Sequence, residues 1–542
     1  MTVTEAPRAA SPAVVEPTPQ APTTGVAAVV GSGNPRMVGQ LFVGTSLVFL
    51  LVAGVVGVLV GFERVDTASN DLFGDDVFRA YALHTVTGLF LVVLPLLLGL
   101  ATAIVPLQVG ASTIAFPRAS AAAYWTYVAS GALVVASFAV DGGPFGTDVA
   151  GVELFLVAMV ALLASLVVAA ISVGATVLAL RAPGLTLRRT PLFSWSMLVA
   201  AVIWSLTLPV LAALMLLSWV DLRHGARFLG GEGGIYDRIA WVFWQPTLYA
   251  FAIPALGIVG DIVPAFARRR HVKHGAALFL IGLFGALSFG AWAQLGFSLD
   301  GSATSADFLF SGPWVVVSFA AVVPVLGLLG LWTTTSRRGS PRVGAPLLVG
   351  FLGALLVLAG VAAGAATSID ALDLDGTTWM TGQANLVLIG ALTAGLAGVT
   401  FWAPKVFGKL LPDPLAGLGG MALFLGALVY ALPDLASGAL GQQRLVQGGG
   451  IPDADVDTAE VLNLVSAIGA IVVVLGVVAF VLALARPRGR AEVADDPWDG
   501  HTLEWATSSP PPVGNFATLP GISSEAPVYD ARHATTATEA AP

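Results

Sequence analysis

The sequence predicts an all-α integral membrane protein, folded as a bundle of twelve transmembrane helices. Its residues are 56% hydrophobic and only 11% charged, and the mean hydropathy is +0.86, which is too apolar for a soluble globular protein. A helix needs about 20 apolar residues to cross a hydrocarbon layer of roughly 30 Å. Twelve such runs occur, centred near residues 49, 93, 130, 165, 205, 252, 286, 320, 355, 392, 424 and 473.

The distribution of Lys and Arg over the loops predicts the orientation of the bundle. Nineteen of the 25 basic residues fall in the set of alternate loops that includes both termini. The opposite loops hold the other six, which are Arg64, Arg79, Arg223, Arg227, Arg238 and Arg444. Because basic loops are retained in the cytoplasm, we expect a multi-pass protein of the cell membrane with both termini cytoplasmic.

The two ends of the chain differ from the apolar middle. Residues 1–35 are rich in Ala, Pro, Thr and Val without helical periodicity, which predicts a disordered cytoplasmic N-terminal arm. Residues 36–486 contain the twelve transmembrane runs. Residues 487–542 are polar and Pro-rich, which predicts a cytoplasmic C-terminal tail of extended backbone along the surface.

Charge and composition indicate which partners to expect besides the lipid bilayer. A net charge of -8 disfavours nucleic acid. The acidic outer loops, with Asp71, Asp75 and Asp76 among their residues, could attract a basic electron-carrier protein or could simply form a solvated loop surface. The chain has no Cys, so it can form neither disulfides nor thiolate metal centres of its own.

Several segments share their residue pattern with one known family. They are Leu83–Phe90, Val105–Ala111, Ala115–Arg118, Ala182–Leu187, Thr190–Trp195, Phe401–Gly408, Asp496–Trp498 and Thr502–Pro510. In these segments the chain resembles subunit I of cytochrome c oxidase, the core subunit of the aa3-type haem-copper oxidases. The resemblance extends from Val38 to Phe516 and implies association with other subunits of a respiratory oxidase.

The resemblance assigns the haem-ligand positions. In the family, one histidine on the second helix and one on the tenth bind a low-spin haem from its two faces. His84 matches the first position, Asn385 stands at the second, and Gln383 replaces the ligand of the high-spin haem. An amide oxygen is a weak iron ligand beside imidazole. The implied cofactor set is therefore one haem or none, with His84 and Asn385 as its binding residues; alternatively, His84 only hydrogen-bonds a Ser, a Thr or a backbone carbonyl.

The same comparison predicts that copper is not bound. The three histidines that hold copper in the family correspond to Gln245, Gln294 and Leu295. Copper at such a site needs nitrogen donors, which two amides and a leucine do not supply. No residue is therefore predicted to be catalytic or to bind a metal.

Residues that handle protons in the family are also replaced. Thr247 stands at the position of a glutamate on the sixth helix, and Leu328 at that of a lysine on the eighth. Tyr249 is retained, without its histidine partner, and is expected to be a buried tyrosine with a satisfied hydroxyl.

Other ionisable residues receive weaker expectations. Asp375 stands near an outer metal and haem-propionate position, but no metal is assigned there. Glu153 and Asp261 lie near span ends, where an intramembrane charge is a candidate functional group and an ordinary solvated helix end is the alternative. The remaining histidines are placed in loops or the tail, away from the bundle core: His224, His271, His274, His501 and His533.

Three functions are open at this point. The first is a catalytically degenerate subunit I homologue that serves a respiratory complex. The second is a working terminal oxidase that moves electrons from cytochrome c to oxygen and pumps protons. The third is a solute transporter or channel, in which Gln245, Gln294, Gln383 and Asn385 line a polar uncharged cavity near mid-membrane.

Overall fold

The computed structural model of the protein describes most of the chain in two units. The described residues are 25–65, 72–225, 228–229, 235–290, 315–444, 456–486 and 493–539. The first unit, Met1–Ser32, contains the short helix Val26–Val30, so the predicted disorder does not hold for this part of the arm; residues 1–24 lie outside the described residues. The second unit, Gly33–Pro542, contains the membrane helices.

The predicted all-α membrane fold is confirmed. Each of the twelve predicted runs has its centre in a separate helix. These helices are α1 (Pro35–Glu63), α2 (Val77–Gln108), α3 (Pro117–Ala139), α4 (Val149–Ala179), α5 (Leu192–His224), α6 (Ile235–Ala267), α7 (His274–Gly290), α8 (Val315–Arg338), α9 (Ala345–Ala366), α10 (Thr378–Phe407), α11 (Asp413–Ala439) and α12 (Val456–Ala485). Eleven are long and apolar enough to cross a membrane, and α7 is a shorter apolar helix within the described residues.

Local sequence signals set several helix ends. Asp148 precedes α4, and its side chain accepts a hydrogen bond of 2.7 Å from the backbone N–H of Gly151. Such an N-cap satisfies one of the N–H groups that the first helical turn leaves unpaired. At the other end of a helix, Gly408 follows α10 with φ of 67°, a left-handed conformation that glycine adopts at little cost.

Three helices occupy the inside of the bundle. Neighbouring helices along the chain pack on one another, α12 packs on α1, and α10 packs on both α2 and α6. In α2 and α6, 94% of the most apolar window is buried, and in α10 it is 89%, against 33–56% in the other long helices. Such helices must be apolar on all sides, so a polar side chain on one of them needs a specific explanation.

The C-terminal tail differs from the prediction of extended surface backbone. Pro527–Glu539 forms a helix, α13, and Leu503–Ala506 forms a short 3-10 helix whose Leu503, Glu504 and Trp505 are buried. The prediction of extended backbone was wrong here because it rested on the Pro-rich residues 508–512, whereas the preceding residues 502–505 contain no proline. The tail packs against the ends of α2, α6 and α10, and we call this the tail end of the bundle.

Candidate functional site

His84 lies on the inner helix α2, three residues before an irregular turn. Residues Thr87–Val93 form a π-helical segment, in which the backbone is wider than in an α-helix and carbonyl groups lose regular partners. One of these carbonyls, that of Leu91, accepts a 2.8 Å hydrogen bond from the hydroxyl of Tyr127 on α3. The irregular segment is thus held in place by a neighbouring helix, directly beside His84.

The imidazole of His84 is fixed against α1. Its Nδ1 is 2.8 Å from the carbonyl oxygen of Ala53, and the ring lies against Gly57, where an added Cβ would be 2.5 Å from Cε1. A carbonyl oxygen only accepts hydrogen bonds, so Nδ1 carries the hydrogen and Nε2 keeps its lone pair. This is the backbone-carbonyl partner expected for a non-ligand histidine, and it is also the arrangement in which metal-bound histidines are usually held.

A small cavity lies beside His84, between α1, α2, α10, α11 and α12. It has a volume of about 100 Å³ and mainly apolar walls, with three polar side chains, those of His84, Asn385 and Tyr430. Nδ2 of Asn385 is buried and has no hydrogen-bond partner. The structure therefore brings together the two predicted haem-binding residues, His84 and Asn385, on the wall of one cavity.

The cavity fits a haem in its donor chemistry but not in its size. Nε2 of His84 is a suitable axial donor, and Asn385 supplies an amide on the same cavity. Pockets for drug-sized ligands measure roughly 300–1,000 Å³, so about 100 Å³ is too small for a porphyrin in this packing. A haem would enter only if the surrounding helices moved apart.

Gln383 is directed away from that cavity. A Cβ added to Gly364 of α9 would collide with Nε2 of Gln383, so the amide occupies the space that the glycine leaves between α9 and α10. Gln383 and Asn385 therefore do not line the same cavity. The hypothesis of one polar cavity formed by the four amides is wrong for this pair.

The predicted copper positions are only partly described. Gln294 and Leu295 lie outside the described residues, as does the side chain of Gln245. Among the described residues no three His, Asp or Glu side chains come together as a metal site, and the expectation that copper is not bound stays a prediction.

Two positions that correspond to proton-handling residues of the family are buried, and Tyr249 is half-buried. Thr247 is 1% exposed and Leu328 is fully buried. The ring of Tyr249 packs against that of Phe284 with 5.3 Å between centroids. These side chains contribute to packing within α6, α7 and α8.

The charged residues near the span ends differ from one another. Asp375 is exposed, and Glu153 forms an ion pair of 2.9 Å with Arg223 at the end of α5. Asp261, however, is only 8% exposed, so a solvated helix end is the wrong description for it. Its carboxylate accepts hydrogen bonds from the backbone N–H groups of Leu192 and Phe193.

Sequence reasoning missed the polar network around Asp261. Gln108, the last residue of α2, donates from Nε2 to Asp261 (2.7 Å) and to Glu504 of the tail (3.1 Å). Glu504 also accepts a hydrogen bond from the indole of Trp402 on α10. Gln108 and Glu504 both lie in segments that the sequence analysis used only for the family resemblance. The signal that could have identified the network is a polar residue, Gln108, at the end of an otherwise apolar membrane span.

A second missed cluster lies at the opposite end of the bundle. The guanidinium of Arg64, after α1, is 3.0 Å from the carboxylate of Asp434 on α11, and Asp434 is fully buried. Asn463 on α12 donates to the carbonyl oxygen of Arg64 at 2.7 Å, and Ser466 donates to Asp434 at 3.2 Å. The cluster ties together α1, α11 and α12.

Within the described residues, a bundle of twelve membrane helices with His84 on its inner helix α2 defines the chain as a polytopic membrane protein with the fold of the haem-copper terminal oxidases. One chain of a solved heme-copper terminal oxidase dimer superimposes with a TM-score of 0.68 at 15% identity, covering 85% of each chain. The family model for Cytochrome C and Quinol oxidase polypeptide I matches residues 37–472. The chain belongs to this family, and the resemblance recognised in its motifs is confirmed.

Bacterial relatives match over nearly the full chain. A protein named as a cytochrome c oxidase subunit 1-beta of Streptomyces coelicolor is 32% identical over 533 residues, covering 92% of this chain and 89% of that protein. Cytochrome c oxidase subunit 1 of Bacillus subtilis is 29% identical over 503 residues, covering 89% and 79%.

Proposed function

We propose that this chain is a subunit I homologue of a respiratory oxidase complex that does not itself reduce oxygen. The observation that carries the proposal is the residue set at the six positions where the family has metal-binding histidines. Only His84 is a histidine; the others are Asn385, Gln383, Gln245, Gln294 and Leu295. Family membership supports a place in the membrane and in a multi-subunit complex.

The replacements remove the chemistry that oxygen reduction requires. Oxygen must be held and supplied with electrons by metal centres, and these need imidazole donors rather than amides or an aliphatic side chain. The packing of Gln383 against Gly364 supports the proposal further, because this amide contributes to the contact between α9 and α10. A working oxidase would require Gln383 and Gln245 to act as ligands.

A single haem, if the purified protein contains one, is assigned to Nε2 of His84, with Asn385 as a second polar side chain on the same cavity. The hydrogen bond from Nδ1 to Ala53 supports this assignment, and the volume of the cavity opposes it. No step of the proposed role depends on haem. That role is the contribution of a folded membrane subunit to the complex.

The test is a dithionite-reduced minus oxidised visible spectrum of the purified protein, with haem extraction and copper determination on the same sample. We expect no copper and at most one haem. If one haem is present, His84→Ala should remove its spectrum, while the matched control His224→Ala, at the end of α5, should retain it. Two haems with stoichiometric copper would contradict the proposal and identify a working oxidase.

A further inference from the structure

Two buried carboxyl groups meet at the tail end of the bundle. Asp261 belongs to the inner helix α6, and Glu504 belongs to the 3-10 helix of the tail; Glu504 is fully buried. Both accept a hydrogen bond from the same nitrogen, Nε2 of Gln108. The orientation of this amide is fixed, because its Oε1 accepts from the backbone N–H (3.2 Å) and hydroxyl (2.6 Å) of Ser194.

The hydrogen-bond donors around Asp261 favour its charged form. The two backbone N–H groups that it accepts from, at 2.9 Å and 3.1 Å, belong to Leu192 and Phe193, the first residues of α5. The N-terminus of a helix carries a partial positive charge and unpaired N–H groups, which stabilise a carboxylate. With the amide of Gln108, three donors serve this one carboxylate.

The surroundings of Glu504 favour its neutral form. Its Oε1 accepts from Gln108 and from Trp402, both at 3.1 Å. Its Oε2 is buried with no partner at hydrogen-bond distance, and the hydroxyl of Thr502 offsets only part of the cost of burying the charge. A negative charge on that oxygen would be buried and unpaired, beside the charge of Asp261. The neighbouring cation is Lys405, whose ammonium group donates to backbone carbonyls of the tail, those of Asp495 (2.9 Å) and Thr507 (2.6 Å) among them.

We propose that Asp261 and Glu504 form a proton-binding site bridged by Gln108, in which Asp261 is ionised and Glu504 carries the proton. When Glu504 loses this proton to water, two carboxylates share one hydrogen-bond donor, Nε2 of Gln108, and the tail is released from the bundle. The site goes beyond the proposed function and does not depend on it. Its occupancy couples the docking of the tail to the pH on that side of the membrane.

Burial perturbs the pKa of three tail groups: it raises the pKa of Asp496 and Glu504 and lowers that of His501. Burial raises the pKa of Glu504 above its ordinary value of 4.5, so the contribution of Glu504 to docking is largest at low pH and is lost as the pH rises. Burial lowers the pKa of His501 from 6.5 to about 3, so protonation of His501 opposes docking as the pH falls below 6.5. The charged groups facing Glu504 are Asp261 on α6 and Lys405 on α10.

Above about pH 7 His501 is neutral in both states, and the contribution of Glu504 is the difference between the parent protein and Glu504→Gln, because Lys405 is present in both. A spin label on Gly521→Cys reports the mobility of the tail, because the chain has no other Cys and a side chain at this exposed glycine meets nothing within 4 Å. In the full-length protein in detergent, we expect the ratio of mobile to immobile label to rise with pH, by up to tenfold per pH unit.

The matched variant is Glu504→Gln, which keeps the shape of the neutral acid and cannot ionise. We expect its label to stay immobile over the same pH range, and we expect an infrared carboxylic-acid band of the parent protein to be missing from it. The proposal is overturned if Glu504→Gln responds to pH as the parent protein does, if it is mobile at every pH, or if both proteins share the same infrared spectrum. A metal determination on the same sample tests the proposed function separately.

Discussion

The contact between His84 and Gly57 shows how one missing Cβ positions a functional side chain. A Cβ added at residue 57 would lie 2.5 Å from Cε1 and 2.7 Å from Nδ1 of the His84 imidazole, so the ring occupies the space of that Cβ. Glycine at this position is therefore needed for the hydrogen bond from His84 to Ala53. Polar groups on inner helices require such local arrangements, because no water is available to satisfy them.

We predict that Gly57→Ala destabilises the protein by about 1–3 kcal/mol, the usual cost of overpacking a well-packed interior. The substitution forces the imidazole away from Ala53. The matched control is Gly88→Ala, which lies on the same cavity but whose Cβ would meet nothing within 4 Å. Apparent melting temperatures in detergent measure both; equal values for the two variants would contradict the prediction.

At the scale of the helices, the Arg64 cluster connects α1, α11 and α12 through buried polar contacts. One guanidinium after α1 reaches the buried Asp434 of α11 and lies 3.3 Å from Asn463 of α12. Removing only the cation leaves a buried carboxylate without its partner, which costs more than the pair itself contributes.

Arg64→Leu should therefore lower the free energy of unfolding by about 3 kcal/mol. The double variant Arg64→Leu with Asp434→Leu should recover most of that loss, because no unpaired charge remains. Arg223→Leu serves as the control: its ion pair with Glu153 has an Arg side chain that is 56% exposed, and exposed pairs contribute about 0–1 kcal/mol. Unfolding in SDS measures all three; a double variant no more stable than Arg64→Leu would count against this explanation.

For the whole molecule, contacts of the C-terminal tail support the assignment of loops to the same side of the membrane that the Lys and Arg count predicts. Arg270 of the α6–α7 loop forms an ion pair with Asp530 of α13, and Arg189 of the α4–α5 loop bonds the carbonyl of Ile522. These loops and the tail thus share one end of the bundle. The Lys and Arg count assigns the same loops to one side of the membrane, and the cytoplasmic orientation of that side stays a prediction.

Single cysteines test the orientation directly. Ser340→Cys lies in the α8–α9 loop and Ala371→Cys in the α9–α10 loop, and both positions are exposed. In intact cells, a membrane-impermeant maleimide should label Ala371→Cys and not Ser340→Cys, because basic loops are cytoplasmic. Permeabilised cells should show labelling of both, and the reverse pattern in intact cells would invert the topology.

Hydropathy and basic-residue counts were sufficient to predict all twelve helices, because each apolar run must satisfy its backbone hydrogen bonds as a helix in lipid. The motif resemblance placed His84 on the second helix and Asn385 on the tenth. The counts did not predict the burial of Glu504 or Asp261, because those contacts join residues 153 and 396 positions apart through Gln108. Long-range pairing of polar side chains has no local pattern from which it could be read.

The buried 3-10 helix of the tail also has a consequence for biosynthesis. Glu504 and Trp505 are made after all twelve membrane helices, yet they cover the ends of α2, α6 and α10, which are made much earlier. Those ends remain uncovered while the rest of the chain is being inserted. The bundle is therefore completed only after translation has passed residue 505, and a chain that stopped before this residue would leave those helix ends uncovered.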